Sequence, residues 1–124
     1  MTIKVLVAEE TPIFCVGLRR VIESQVDLEC VGTVGTIKDI AKLLEESKPD
    51  VVVFDAGLLR GNSQMLQDIA VKHNVSVVTL SANDDVLLYE SLVELGSAAC
   101  LDKRVAPKEL CNAIRIASSG KVML

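Results

Sequence analysis

The sequence predicts an α/β domain with a parallel sheet covered by helices on both faces. Short apolar runs alternate five times with stretches of helical spacing, and the apolar residues are nearly all aliphatic. Half of the 124 residues are apolar, yet Phe14, Phe54 and Tyr89 are the sole aromatic side chains. A core of Val, Ile, Leu and Ala is the composition of strands buried on both sides. The length suits one domain with a sizeable core, spanning residues 1–124.

The runs Ile3–Ala8, Leu28–Val34, Val51–Asp55, Ser76–Ser81 and Ala98–Leu101 are short and rich in β-branched residues, so they read as strands. Between them Phe14, Leu18, Val21 and Ile22 fall on one helical face, and Ile40, Leu43 and Leu44 on another. Residues Asn62–His73 are less regular, with Met65, Ile69 and Ala70 sharing a face. Leu88, Leu92 and Leu95, then Leu110, Ala113, Ile114 and Ala117, complete the series. Pro12 and Pro107 suit the first turn of a helix, Asn62 and Asn83 suit N-caps, and Gly96 and Gly120 stand where helices stop. Regular βα alternation with right-handed crossovers gives a flavodoxin-like (βα)5 sheet. Ligands of such sheets gather outside the carboxyl ends of the strands.

Several function classes fall away. A net charge of −4 does not favour nucleic-acid binding by this segment, and no apolar run is long enough for a membrane span. Cys15, Cys30, Cys100 and Cys111 lack zinc-site spacing and read as small buried residues in a reducing, cytoplasmic setting. The loop after the first strand, EETPIFCVG, has neither the phosphate loop of a flavin carrier nor the D-x-H-x-x-G of a cobalamin domain. There is no G-x-G-x-x-G, and His73, the lone histidine, reads as a surface residue. A Ser81–Lys103 hydrolase would need a third group to orient the pair, and none is visible.

At the strand ends stand Glu9 and Glu10, then Asp55, Ser81 and Lys103. Charged residues at loop starts are most often merely solvated, but five functional groups at four strand ends form a chemically coherent set. Crowded carboxylates favour a divalent cation or an ammonium beside them, and Mg²⁺ prefers oxygen ligands. A carboxylate can attack phosphorus to give an aspartyl-phosphate, with the lysine and hydroxyl compensating charge on the transferred group.

These residues carry a resemblance. With IKVLVAEETPIFCVGLRRVIES, KPDVVVFD, VVTLSAND, LDKRVAPKEL and AIRIASSGKVML in order, the chain resembles the receiver domain of two-component response regulators, in its NarL/LuxR-like subgroup. The resemblance implies strand order 2-1-3-4-5, with Asp55 as phosphoacceptor, Ser81 and Lys103 contacting the phosphoryl group, and no enzymatic role beyond self-dephosphorylation. It implies Mg²⁺ held by Glu9, Glu10, Asp55 and the Gly57 backbone carbonyl. The implied partners are a sensor histidine kinase and a C-terminal helix-turn-helix output domain beyond this segment, giving transcription regulation. A homodimer would form through helix 4, strand 5 and helix 5, where Tyr89, Glu90, Lys108 and Arg115 are candidate contacts. The alternative is a receiver-like module acting by protein contact without phosphorylation. The sequence departs from the family pattern in its Glu-Glu pair, in Leu59 where a proline is common, and in Cys100 where a switch aromatic is expected.

Overall fold

The computed structural model describes residues 2–60, 62, 64–82 and 86–120, with the side chains at positions 86 and 87 outside that description. Strands β1 (Ile3–Ala8), β2 (Leu28–Val34), β3 (Val51–Asp55), β4 (Ser76–Ser81) and β5 (Ser97–Asp102) alternate with helices. These are α1 (Pro12–Glu23), α2 (Ile40–Ser47), α3 (Gln64–Lys72), α4 (Val86–Glu94) and α5 (Pro107–Ser118). All strand pairings are parallel and the sheet order is β2-β1-β3-β4-β5. Four strands have the bounds expected from sequence; β5 gains Ser97 and Asp102 at its ends.

Period-two alternation divides the core. Val5, Val7, Val51, Val53, Val78 and Leu80 pack toward α1 and α5. Leu6, Ala8, Val52, Phe54 and Val77 pack on the opposite face with α2, α3 and Leu92 of α4. Each expected helical face is turned inward, and Leu66, unremarked in the sequence reading, is fully buried in α3.

The punctuation holds in part. Pro12 and Pro107 each stand at the first position of a helix. Gly96 (φ 110°) and Gly120 (φ 84°) take the left-handed conformation that follows helix ends. Asn62 is not the residue next to a helix: α3 starts at Gln64, and the Asn62 carbonyl accepts from the Met65 N–H. Asn83 lies outside the described residues. Of the cysteines expected to be buried, Cys111 is, whereas Cys15, Cys30 and Cys100 are half-buried, packed against the edges of the core.

Arg115 also differs from expectation. Instead of facing outward for a partner, its guanidinium forks onto Asp27 (2.7 and 2.9 Å) and reaches Gln25 (2.8 Å), tying α5 to the connection between α1 and β2. The Arg115 hydrogen bond holds the Asp27 carboxyl below its ordinary range. A depressed folded-state value stabilises above the ordinary carboxylate range and is lost as pH falls through it. Asp27→Asn should therefore lower the thermal midpoint at neutral pH, with the gap to wild type closing under acid. Thermal unfolding over a pH series checks this.

Candidate functional site

The alternation that sorts the core also sorts the site. Glu9 continues β1, its N–H donating to the Val34 carbonyl (2.9 Å), so its side chain follows Val5 and Val7 toward the α1/α5 side. Asp55 follows Val51 and Val53 to that same side. Lys103 arrives just after β5, where the register pairs Ser81 with Asp102 and the Lys103 N–H donates to the Ser81 carbonyl (2.8 Å). Lys103 Nζ then lies 2.9 Å from Glu9 Oε1 and 3.1 Å from Asp55 Oδ1. The Phe14 ring, on the first turn of α1, has its centroid 5.0 Å from that ammonium, within cation–π reach.

Both carboxylates are buried, Glu9 to 2% and Asp55 to 4% exposure. Glu9 is thus no part of an open rim, as the strand-end position had suggested; it lies beneath Lys103. Its Oε2 accepts from the Thr11 N–H (2.9 Å), while Oε1 is met by the ammonium at ion-pair distance but without hydrogen-bond alignment. Asp55 Oδ1 accepts from the Gly57 N–H (2.9 Å), and Oδ2 lies 3.5 Å from the Glu10 N–H.

The charges settle unequally. Burial pushes the Glu9 carboxyl up, and the nearby Asp55 adds to that push, against the Thr11 N–H and Lys103. Burial works against the Asp55 carboxylate too, but the contacts with Glu9, the Gly57 N–H and Lys103 outweigh it and hold the carboxyl low. Burial likewise disfavours the Lys103 ammonium, yet Glu9 and Asp55 keep its value above the ordinary one. The Asp55 carboxyl is thus held toward its ionised form, the form a nucleophile needs.

Glu10 turns elsewhere. It follows the last sheet position, and its Oε2 pairs with the Arg60 guanidinium at the end of a 3₁₀ turn formed by Ala56–Leu59. Neither Thr11, Phe14 nor Arg60 was singled out from sequence; only Phe14 carried a signal, as an apolar residue placed at the start of α1 beside the acidic pair. Glu10, Asp55, Gly57, Ser81, Leu88 and Lys103 line one open hollow of about 340 Å³. Four of the expected side chains, Glu10, Asp55, Ser81 and Lys103, therefore border the same space, with Glu9 directly behind it.

The donor chemistry suits Mg²⁺: carboxylates of Glu10 and Asp55 and the Gly57 carbonyl are hard oxygen ligands beside the hollow. Their arrangement is not gathered around one point, and among the described residues no three metal-ligating side chains converge. The Glu10 carboxylate is engaged by Arg60.

The chain has relatives among known proteins. The transcriptional regulatory protein YxjL of Bacillus subtilis (strain 168) is 31% identical over 123 residues, 98% of this chain and 56% of its own length. The response regulator UvrY of Escherichia coli (strain K12) is 26% identical over 96% of this chain and 56% of its own. This chain thus spans about half the length of these curated relatives. In fold it is similar to a LuxR-family two-component response regulator from Aurantimonas sp. SI85-9A1, with TM-score 0.90 and 22% identity over 100% of this chain and 90% of that one. The response regulator domain of Thermotoga maritima CheB is likewise similar, with TM-score 0.85 and 22% identity over 96% and 98% of the two chains. The family model for the response regulator receiver domain matches residues 5–115, and to that family this chain belongs.

Proposed function

We propose that this domain accepts a phosphoryl group on Asp55 from a sensor histidine kinase and passes the change to an output domain. The observation that carries the reading is Lys103 Nζ at 3.1 Å from a buried Asp55 whose carboxyl is held ionised beside an open hollow. A carboxylate oxygen of Asp55 forms the new bond to phosphorus as the donor's bond to it breaks, and the leaving group takes its proton from the donor side or solvent. Lys103 pairs with the added negative charge, and the Ser81 hydroxyl, lining the same hollow, donates to a phosphoryl oxygen. Mg²⁺, held by Glu10, Asp55 and the Gly57 carbonyl with Glu9 supporting from behind, supplies neutralising charge when bound. Water later hydrolyses the acyl phosphate, so the domain is a phosphoacceptor with self-dephosphorylation and no separate substrate.

The output is a population switch between two arrangements of α4, β5 and α5. Glu90 and Lys108 are exposed on that surface and available to a second copy, whereas Tyr89 is half-buried. A cytoplasmic setting suits the four free thiols. Relatives named as transcription regulators and about twice this length support a C-terminal DNA-binding partner domain. The Glu10–Arg60 pair favours one other reading, a module that works by protein contact without phosphorylation.

Treatment with acetyl phosphate and Mg²⁺ decides between the two. Intact-mass spectrometry should show one added phosphoryl group on wild type and none on Asp55→Ala; an unmodified wild type, or equal modification of both, rejects phosphoacceptance. Ser81→Ala should slow the gain on the order of 100-fold, the loss expected for one donor to developing charge.

Stability should follow the same electrostatics. Lys103→Met leaves two buried carboxylates facing each other and should cost about 1–3 kcal/mol. Asp55→Asn removes a carboxylate whose ionised form the fold favours but also relieves its crowding with Glu9, so it should lower stability at neutral pH by less than Lys103→Met does. Urea unfolding of both variants measures the contrast.

A further inference from the structure

Two glutamates stand at the end of β1, and two different cations take them. Lys103 holds Glu9 inside the protein. Arg60, five residues past Asp55 in sequence, holds Glu10 at the mouth of the hollow. Arg60 sits in the left-handed conformation (φ 42°, ψ 46°) that closes the 3₁₀ turn after β3, and from there its side chain spans to the β1 end. The pair therefore links the two loops that flank the proposed Mg²⁺ position, and it engages the one acidic-pair carboxylate that borders the hollow.

A metal ion entering there needs a Glu10 oxygen, and a guanidinium bound to that oxygen withdraws it and adds like charge nearby. We propose that Arg60 is a built-in competitor of Mg²⁺ for Glu10, so that metal binds by displacing an internal ion pair. The proposal rests on the Mg²⁺ role given above. Each of the three carboxylates at this edge is matched to a cation of the chain itself, Glu9 and Asp55 to Lys103 and Glu10 to Arg60.

The competitor is a weak one. Arg60 is 72% exposed and Glu10 37% exposed at their side chains, so water and salt screen the pair. Removing the guanidinium frees Glu10 and deletes a neighbouring positive charge, which together should tighten Mg²⁺ binding by about 2- to 10-fold.

Isothermal titration with MgCl₂ alone, without a phosphodonor, tests this on wild type, Arg60→Gln, Arg60→Gly and Glu10→Gln. Arg60→Gln keeps much of the side chain's length without the charge. Arg60→Gly suits the left-handed backbone, so the turn survives. Both Arg60 variants should bind Mg²⁺ more tightly than wild type, with the gap narrowing as NaCl rises. The gain should vanish when Glu10→Gln is added to either. Equal or weaker binding in both Arg60 variants, or a gain that persists without the Glu10 carboxylate, overturns the proposal, as does undetectable binding by all of them. Tightened binding without phosphorylation of Asp55 would remove the function proposed above and leave this competition standing; phosphorylated Asp55 with unaltered Mg²⁺ affinity would do the reverse.

Discussion

An ammonium wedged between two buried carboxylates organises this end of the molecule. Glu9 and Asp55 are almost entirely removed from water, and Lys103 Nζ is within 3.1 Å of both. Like charges confined at this distance in a poorly solvated site repel strongly, so the pair is tolerable only with a cation between them or a proton on one of them. Lys103 supplies the charge, the Phe14 ring supports it from the α1 side, and Glu9 is the carboxyl whose proton affinity rises. Asp55 is the carboxyl held below its ordinary range.

That arrangement depends on strand register more than on the loops. Lys103 reaches its place because Ser81 pairs with Asp102 and its own N–H continues the ladder onto the Ser81 carbonyl. A slip of one residue in β5 would send the ammonium to the other face of the sheet. Ala98 is the extra residue at the irregularity between the Val77 and Val78 pairings, so Ser97 pairs with Val77 and Ala99 with Val78, neighbours that pack on opposite faces of the sheet. The aliphatic core and the polar site are thus one register problem, solved by Val78, Leu80 and Ala99 packing on the α1/α5 side.

The strand bounds were legible because β-branched runs between Gly, Pro and Asp leave few alternatives, and the same alternation placed Asp55 and Ser81 at the sheet's carboxyl edge. Lys103 was legible for the same reason. What escaped the sequence were contacts between residues far apart in the chain: Arg60 with Glu10 and Arg115 with Asp27. Charge patterning reveals helix pairs at i,i+4 such as Arg19–Glu23, but carries no signal for partners fifty or ninety residues away. Burial of Glu9 was missed for a related reason. A glutamate at a strand end looks solvent-facing until the lysine that covers it is placed.

Cys100 shows how a departure from a family pattern becomes a physical difference. Where a ring would fill volume between β5 and α4, the Cys100 Sγ sits 3.7 Å from the Tyr89 carbonyl and 3.6 Å from Ser97 Oγ. Ser97 Oγ in turn is 2.8 Å from Thr79 Oγ1, so the interior here carries a chain of small polar groups instead of an aromatic plug. Thiol hydrogen bonds are weak, and their loss moves an equilibrium far less than burying or exposing an aromatic ring does. The docking of α4 therefore rests chiefly on the stripe of Leu88, Leu92 and Leu95 against the sheet. Under the function proposed above, a switch built on that contact would respond to displacement of the α4 backbone, since position 100 carries no ring to rotate.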